Sequence, residues 1–86
     1  MDDRRKRLKF RVWRRGFREI DLILGGFADR YLTDLDDADL DAFEALLNVA
    51  DNDAYDWITG AAPAPPEHDT PLLAHLRAFR LDRPVA

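Results

Sequence analysis

The stretch IDLILGGFADRYL, residues 20–32, decides the fold. Its apolar side chains Ile20, Ile23, Leu24, Phe27 and Tyr31 recur at helical spacing, with Leu32 beside the last, so they line one face of an α-helix rather than alternate faces of a strand. Such a face needs other elements to cover it. Gly25 and Gly26 fall inside this helix, where each costs about 1 kcal/mol relative to alanine; the pair predicts close packing of a neighbour rather than a bend.

Reading outward, the covering elements are also helices. On the C-terminal side, LDDADL (residues 35–40) carries a strong start signal. Asp36 is placed to cap, Asp39 can reach back, and Leu35 can pack on Leu40 as a hydrophobic staple. Leu40, Phe43, Leu46, Leu47 and Ala50 form the expected buried stripe, while Asp37, Asp39 and Asp41 favour the positive N-terminal end of the helix dipole. The aspartate run lacks the central glycine and terminal glutamate of an EF-hand, so capping and dipole effects explain it better than calcium. A short helix capped by Asp51 or Asn52 carries Tyr55, Trp57 and Ile58 and stops at Gly60. AAPAPPEHD (residues 61–69) is a proline-rich connector, too short to divide domains. Thr70 and Pro71 then open a last helix facing inward with Leu72, Leu73, Leu76 and Phe79.

On the N-terminal side, Asp2 or Asp3 can cap a first helix ending near Arg15, with Leu8, Phe10, Trp13 and Val12 as its apolar positions. Phe10, Trp13 and Phe17 follow the i, i+3, i+7 spacing of a buried stripe, which predicts at least two of them in the core. The expected fold is all-α, a small bundle of about five short helices in a single domain over residues 1–86, with residues 1–4 and 81–86 frayed.

Composition bounds the function. A chain of 86 residues holds one core and buries only about 60–65% of its unfolded surface, leaving little room for an enclosed catalytic cavity. With 47% hydrophobic and 35% charged residues it fits neither a disordered chain nor a membrane protein. The start MDDRRKRLKF has no apolar signal segment, and no apolar run approaches the roughly 18–20 residues of a span, so cytoplasmic residence without membrane insertion is expected. There is no cysteine and no serine. Thr33, Thr59 and Thr70 fall at helix ends, and His68 and His75 have no third metal ligand nearby in sequence. No glycine-rich phosphate loop follows a strand. Neither a catalytic residue nor a metal site is expected.

Charge is sharply polarised. Residues 1–18 hold nine Lys/Arg against Asp2 and Asp3, a local net of +7, whereas residues 19–59 sum to −11 and the remainder is neutral. One reading lays the basic helix on the acidic ones within the molecule. Another makes it a docking surface for an acidic partner or a polyphosphate. Binding of nucleic acid, with the aromatics as stacking platforms, is disfavoured by the acidic pI of about 5.0.

WRRGFREIDLIL (residues 13–24) gathers these features at one corner. Arg14 and Arg15 suit the last turn of a helix, Gly16 suits the turn itself, and Glu19 suits the first turn of the next helix. A helix corner accounts for the glycine and the glutamate but not for the crowding of Arg14, Arg15 and Arg18. The segment resembles the Arg-Gly-x-x-Glu signature, here Arg15, Gly16 and Glu19, of the SdhE-like flavinylation factors that assist assembly of succinate dehydrogenase. FADRYLTDLDDADLDAFEALLNVAD, YDWITG and DTPLLAHLRAF extend the resemblance over most of the chain.

The resemblance implies a chaperone with no catalytic residues of its own. Its partner would be the flavoprotein subunit of succinate dehydrogenase or fumarate reductase, in which a histidine becomes bonded to FAD. The factor itself would bind no cofactor and would be a monomer or a weak dimer. The partner-binding residues carried over are Arg15, Gly16 and Glu19, with Arg14, Arg18 and Arg11 expected at the rim. A small helical interaction or nucleic-acid module using the basic arm is the alternative.

Overall fold

The computed structural model describes residues 2–13 and 18–82. Five α-helices run α1 (Asp3–Val12), α2 (Arg18–Tyr31), α3 (Asp37–Leu47), α4 (Asp51–Thr59) and α5 (Pro71–Asp82), with single 3-10 turns at Leu32–Asp34 and Pro66–His68. No strand occurs among the described residues, and the all-α bundle is as the spacing predicts. The helical span reaches Asp3 at one end and Asp82 at the other, into the segments expected to fray.

Helix α2 is central because its apolar face meets neighbours on two sides. Helix α1 packs on α2 and α3, and α5 packs on α2, α3 and α4. Ile20, Ile23, Leu24 and Phe27 are buried, Tyr31 is half-buried, and Leu32 completes the stripe from the 3-10 turn. Phe27 sits among aromatic partners, edge-on to Phe43 at 5.9 Å and to Phe79 at 5.7 Å between ring centres. Full burial of side chains of this size stabilises by about 1.5–3 kcal/mol each before chain entropy is set against it.

The glycine pair is a packing device. A Cβ on Gly25 would lie 2.3 Å from Cε2 of Trp13, so the indole of the residue that caps α1 rests directly on the α2 backbone. On Gly26 a Cβ would meet Cζ of Phe79 in α5 at 3.3 Å. Adjacent positions on a helix point about 100° apart. One glycine therefore admits α1's aromatic and the next admits α5's.

Several helix boundaries follow local chemistry. Asp2 caps α1 by accepting from the Arg5 amide at 2.8 Å, and Asp36 caps α3 by accepting from the Asp39 amide at 2.8 Å. Thr70 Oγ1 accepts from the Leu73 amide at 3.2 Å at the start of α5. Gly60 ends α4 with φ of +85°, a conformation side-chain-bearing residues adopt only at a cost.

Three expectations are corrected. Phe10 (61% exposed) and Trp13 (42%) are not core residues; Leu8 and Val12, four apart, form the inner face of α1, which ends at Val12 rather than near Arg15. Ala50 does not extend the stripe of α3; it is exposed and precedes α4. Asp51 and Asn52 are helical rather than capping, and α4 starts without a side-chain cap.

The basic helix lies on the acidic body, as the intramolecular reading holds. Arg4 bridges Asp41 and Glu44 of α3, with Nε 2.6 Å from Glu44 Oε1. Arg5 donates from Nε to the Leu32 carbonyl at 3.0 Å and from Nη2 to that of Leu35, satisfying acceptors around the 3-10 turn. Lys9 Nζ stands 4.0 Å from Asp29 of α2. Pairs this close to solvent orient the helix more than they stabilise it.

Candidate functional site

The corner between α1 and α2 is built from its two flanks. Arg14, Arg15, Gly16 and Phe17 lie outside the described residues. On the entering flank, Trp13 caps the C-terminal end of α1 and its amide donates to the Arg11 carbonyl. Its indole lies over Gly25, two turns into α2, so the chain enters residues 14–17 from a point pinned to the next helix. On the leaving flank, α2 opens with Arg18 and Glu19, both exposed and without a hydrogen bond or ion pair among the described residues.

Electrostatics at the two flanks are complementary. The last turn of α1 carries Lys9 and Arg11 at its negative dipole end, and the first turn of α2 carries Glu19 and Asp21 at its positive end. Asp21 is half-buried, and its Oδ1 is buried with no hydrogen-bond partner among the described residues. A carboxylate oxygen in that condition is costly in isolation, and the favourable dipole end offsets part of the cost. Charge on the Arg4 guanidinium is held more firmly than usual, first by the hydrogen bond to Glu44 and then by that to Asp41.

Of the expected site residues, Arg18 and Glu19 stand together at the start of α2. Arg11 is exposed but not idle: its Nη2 donates to Asn48 Oδ1 at 2.9 Å, tying the end of α1 to the end of α3. Two residues at this corner escape sequence reasoning, the unsatisfied Asp21 and the Trp13 resting on Gly25. Only the unusual glycine pair hinted at the second.

Nothing else among the described residues forms a chemical centre. No group of three or more His, Asp or Glu is placed to hold a metal ion. His68 stacks on Trp57 at 5.0 Å, and His75 packs edge-on to Phe27 at 4.8 Å, so both imidazoles pack against aromatic rings. Among the described residues, no helix is long and apolar enough to cross a membrane. What the described flanks of the corner do present is charge: Arg18 and Glu19 are exposed at the start of α2.

Comparison with known proteins bears on what that charge could meet. A family model described as the flavinator of succinate dehydrogenase matches residues 6–80. A protein of Drosophila grimshawi named succinate dehydrogenase assembly factor 2, mitochondrial, is 37% identical over 76 residues, covering 86% of this chain and 52% of that protein. The FAD assembly factor SdhE of Acetobacter pasteurianus is 37% identical over 73 residues, covering 85% of this chain and 67% of its own length. A Saccharomyces cerevisiae protein, also named succinate dehydrogenase assembly factor 2, mitochondrial, is 36% identical over 83 residues, covering 92% of this chain and 51% of its own length. The chain thus spans about half the length of the mitochondrial relatives and two thirds of the bacterial one.

Proposed function

We propose, from the premise that this chain belongs to the family of flavinators of succinate dehydrogenase, that it is an assembly factor for the flavoprotein subunit of that enzyme. It binds the subunit, or its counterpart in fumarate reductase, and promotes covalent attachment of FAD to one of the subunit's histidines. The bond-forming groups are the partner's histidine and the 8α-methyl of FAD. This chain supplies positioning, which lowers the barrier to a reaction between groups already present in the partner. It carries no catalytic residue and holds no cofactor itself.

The observation that carries the reading is the placement of Glu19 and Arg18. A charged pair at a helix start, exposed and unpartnered among the described residues, is available to a partner, and in sequence only Phe17 separates it from Arg15 and Gly16. Arg15 makes a bidentate contact to a carboxylate or to backbone oxygens of the flavoprotein, a geometry lysine cannot reproduce. Gly16 lets the partner backbone approach closely, and Glu19 faces a partner cation or amide. Arg14, Arg18 and Arg11 lie at the rim, where they affect association rate and orientation more than affinity.

Co-purification with the apo-flavoprotein subunit tests this. The wild-type chain is expected to be retained, and Arg15→Lys, folded by circular dichroism, to be lost or strongly reduced. Equal retention of both would remove Arg15 from the contact, and retention of neither would remove the partner.

A further inference from the structure

The six cations of α1 divide into two sets. Arg4, Arg5, Lys9 and Arg11 reach across to α3, to the 3-10 turn after α2, to α2 and to Asn48. Lys6 and Arg7 are exposed and have no ion pair or hydrogen bond among the described residues. They stand on the face of α1 opposite the buried Leu8 and Val12. Phe10, one turn on from both and 61% exposed, projects between them.

The surface is hollow on either side of Arg7. A shallow depression of about 390 Å³ is walled by Lys6, Arg7, Phe10 and Arg11. Its walls are the phenyl ring and the aliphatic stems of the long cations, a setting for an apolar side chain. A second depression, of about 200 Å³, follows the seam with α3 and is lined by Arg4, Arg7, Leu8, Arg11 and Glu44. There Arg4 is committed to Asp41 and Glu44, and Arg11 to Asn48 through one nitrogen, so Arg7 offers a whole guanidinium fork and Arg11 part of one.

We infer that the outer face of α1 is a docking surface for an acidic segment of the flavoprotein partner, which seats an apolar side chain on Phe10 between Lys6 and Arg7 and sets a carboxylate on Arg7 and Arg11 beside α3. The inference rests on the proposed function for the partner's identity. Charge selects the occupant: Lys6 and Arg7 outweigh the exposed Asp3 on this face, so its net charge is positive, while Asp2, Asp29, Asp41 and Glu44 meet other cations of α1. Size points the same way. A specific interface covers roughly 800 Å² on each partner, more than a four-residue corner presents, and α1 extends the contact by about 15 Å in the direction from which the chain enters residues 14–17.

The test is the affinity of the full chain for the purified flavoprotein subunit, measured by titration calorimetry at low and high salt. The variants are Lys6→Glu with Arg7→Glu, and separately Phe10→Ser. All three positions are exposed, and circular dichroism and thermal unfolding check that each variant folds. Charge reversal is expected to raise Kd roughly tenfold or more at low salt and to flatten the salt dependence, and Phe10→Ser to raise Kd several-fold at both salts. Wild-type binding that neither variant changes overturns this surface and leaves the proposed function standing. No binding by the wild type overturns both. The surface is also overturned if the variants leave flavoprotein affinity unchanged but alter self-association in sedimentation, or abolish binding to phosphatidylglycerol vesicles.

Discussion

Replacing Gly25 by alanine would put a methyl group 2.3 Å from Cε2, 2.4 Å from Cζ2 and 2.6 Å from Cδ2 of Trp13, distances no pair of non-bonded carbon atoms tolerates. The α2 backbone has no reason to yield, because alanine at an interior helical position is favoured over glycine by about 1 kcal/mol. The indole is the part that moves, since it is 42% exposed and has solvent to move into. It covers somewhat over half its surface in place. For a side chain that buries about 150–250 Å² when fully covered, losing that contact costs roughly 2–3 kcal/mol at 25 cal/mol per Å². The net expectation for Gly25→Ala is therefore destabilisation by about 1–2 kcal/mol, the loss of indole packing less the helix-propensity gain. Urea unfolding followed by circular dichroism gives the number, and Trp13 emission in a Trp57→Phe background is expected to shift to the red. In a Trp13→Ala background the sign should reverse, with Gly25→Ala stabilising by up to about 1 kcal/mol because only helix propensity remains. Gly25→Ala stabilising the protein with Trp13 present would refute the packing account of the glycine pair.

Other perturbations have equally definite outcomes. Gly60→Ala places a side chain at φ of +85° with no atom within 4 Å of the new Cβ, so its cost is backbone strain alone, about 1 kcal/mol by urea unfolding, and it should be tolerated functionally. The Asp2 carboxyl is held below its ordinary value of 3.8 chiefly by the hydrogen bond from the Arg5 amide. A depressed carboxylate stabilises the folded state above its unfolded pKa, and that contribution is lost as pH falls through the lower folded value. Carboxyl NMR titration should show the Asp2 midpoint below 3.8, with faster exchange of the Arg5 amide once it is passed.

The parts of the fold legible in the sequence are those decided within one or two turns of chain. The α2 stripe, the Asp36 cap, the Thr70–Pro71 start and the Gly60 stop are local events, and each appears where spacing and capping chemistry put it. Helix α1 is different because it has apolar residues on two faces. Leu8 and Val12 form one stripe and Phe10 and Trp13 another, and periodicity alone cannot say which turns inward. Non-local contacts decide it: Arg4 reaches Asp41 and Glu44, and Arg5 reaches the Leu32 and Leu35 carbonyls. The partners of Gly25 and Gly26, Trp13 and Phe79, were hidden for the same reason. At the corner, the motif is visible as letters in the sequence, whereas the exposure of Arg18 and Glu19, the commitment of Arg11 to Asn48 and the unsatisfied Asp21 oxygen are properties of the packed chain.

The role proposed for this chain is to drive covalent flavin attachment in a partner through the α1–α2 corner. Its most direct test is in-gel flavin fluorescence of the denatured flavoprotein subunit, produced with the wild-type chain, without it, and with a Gly16→Arg variant shown by circular dichroism to be folded. The account predicts covalent flavin with the wild type, little without the chain, and a marked drop with the folded variant. Equal fluorescence in all three samples would contradict it.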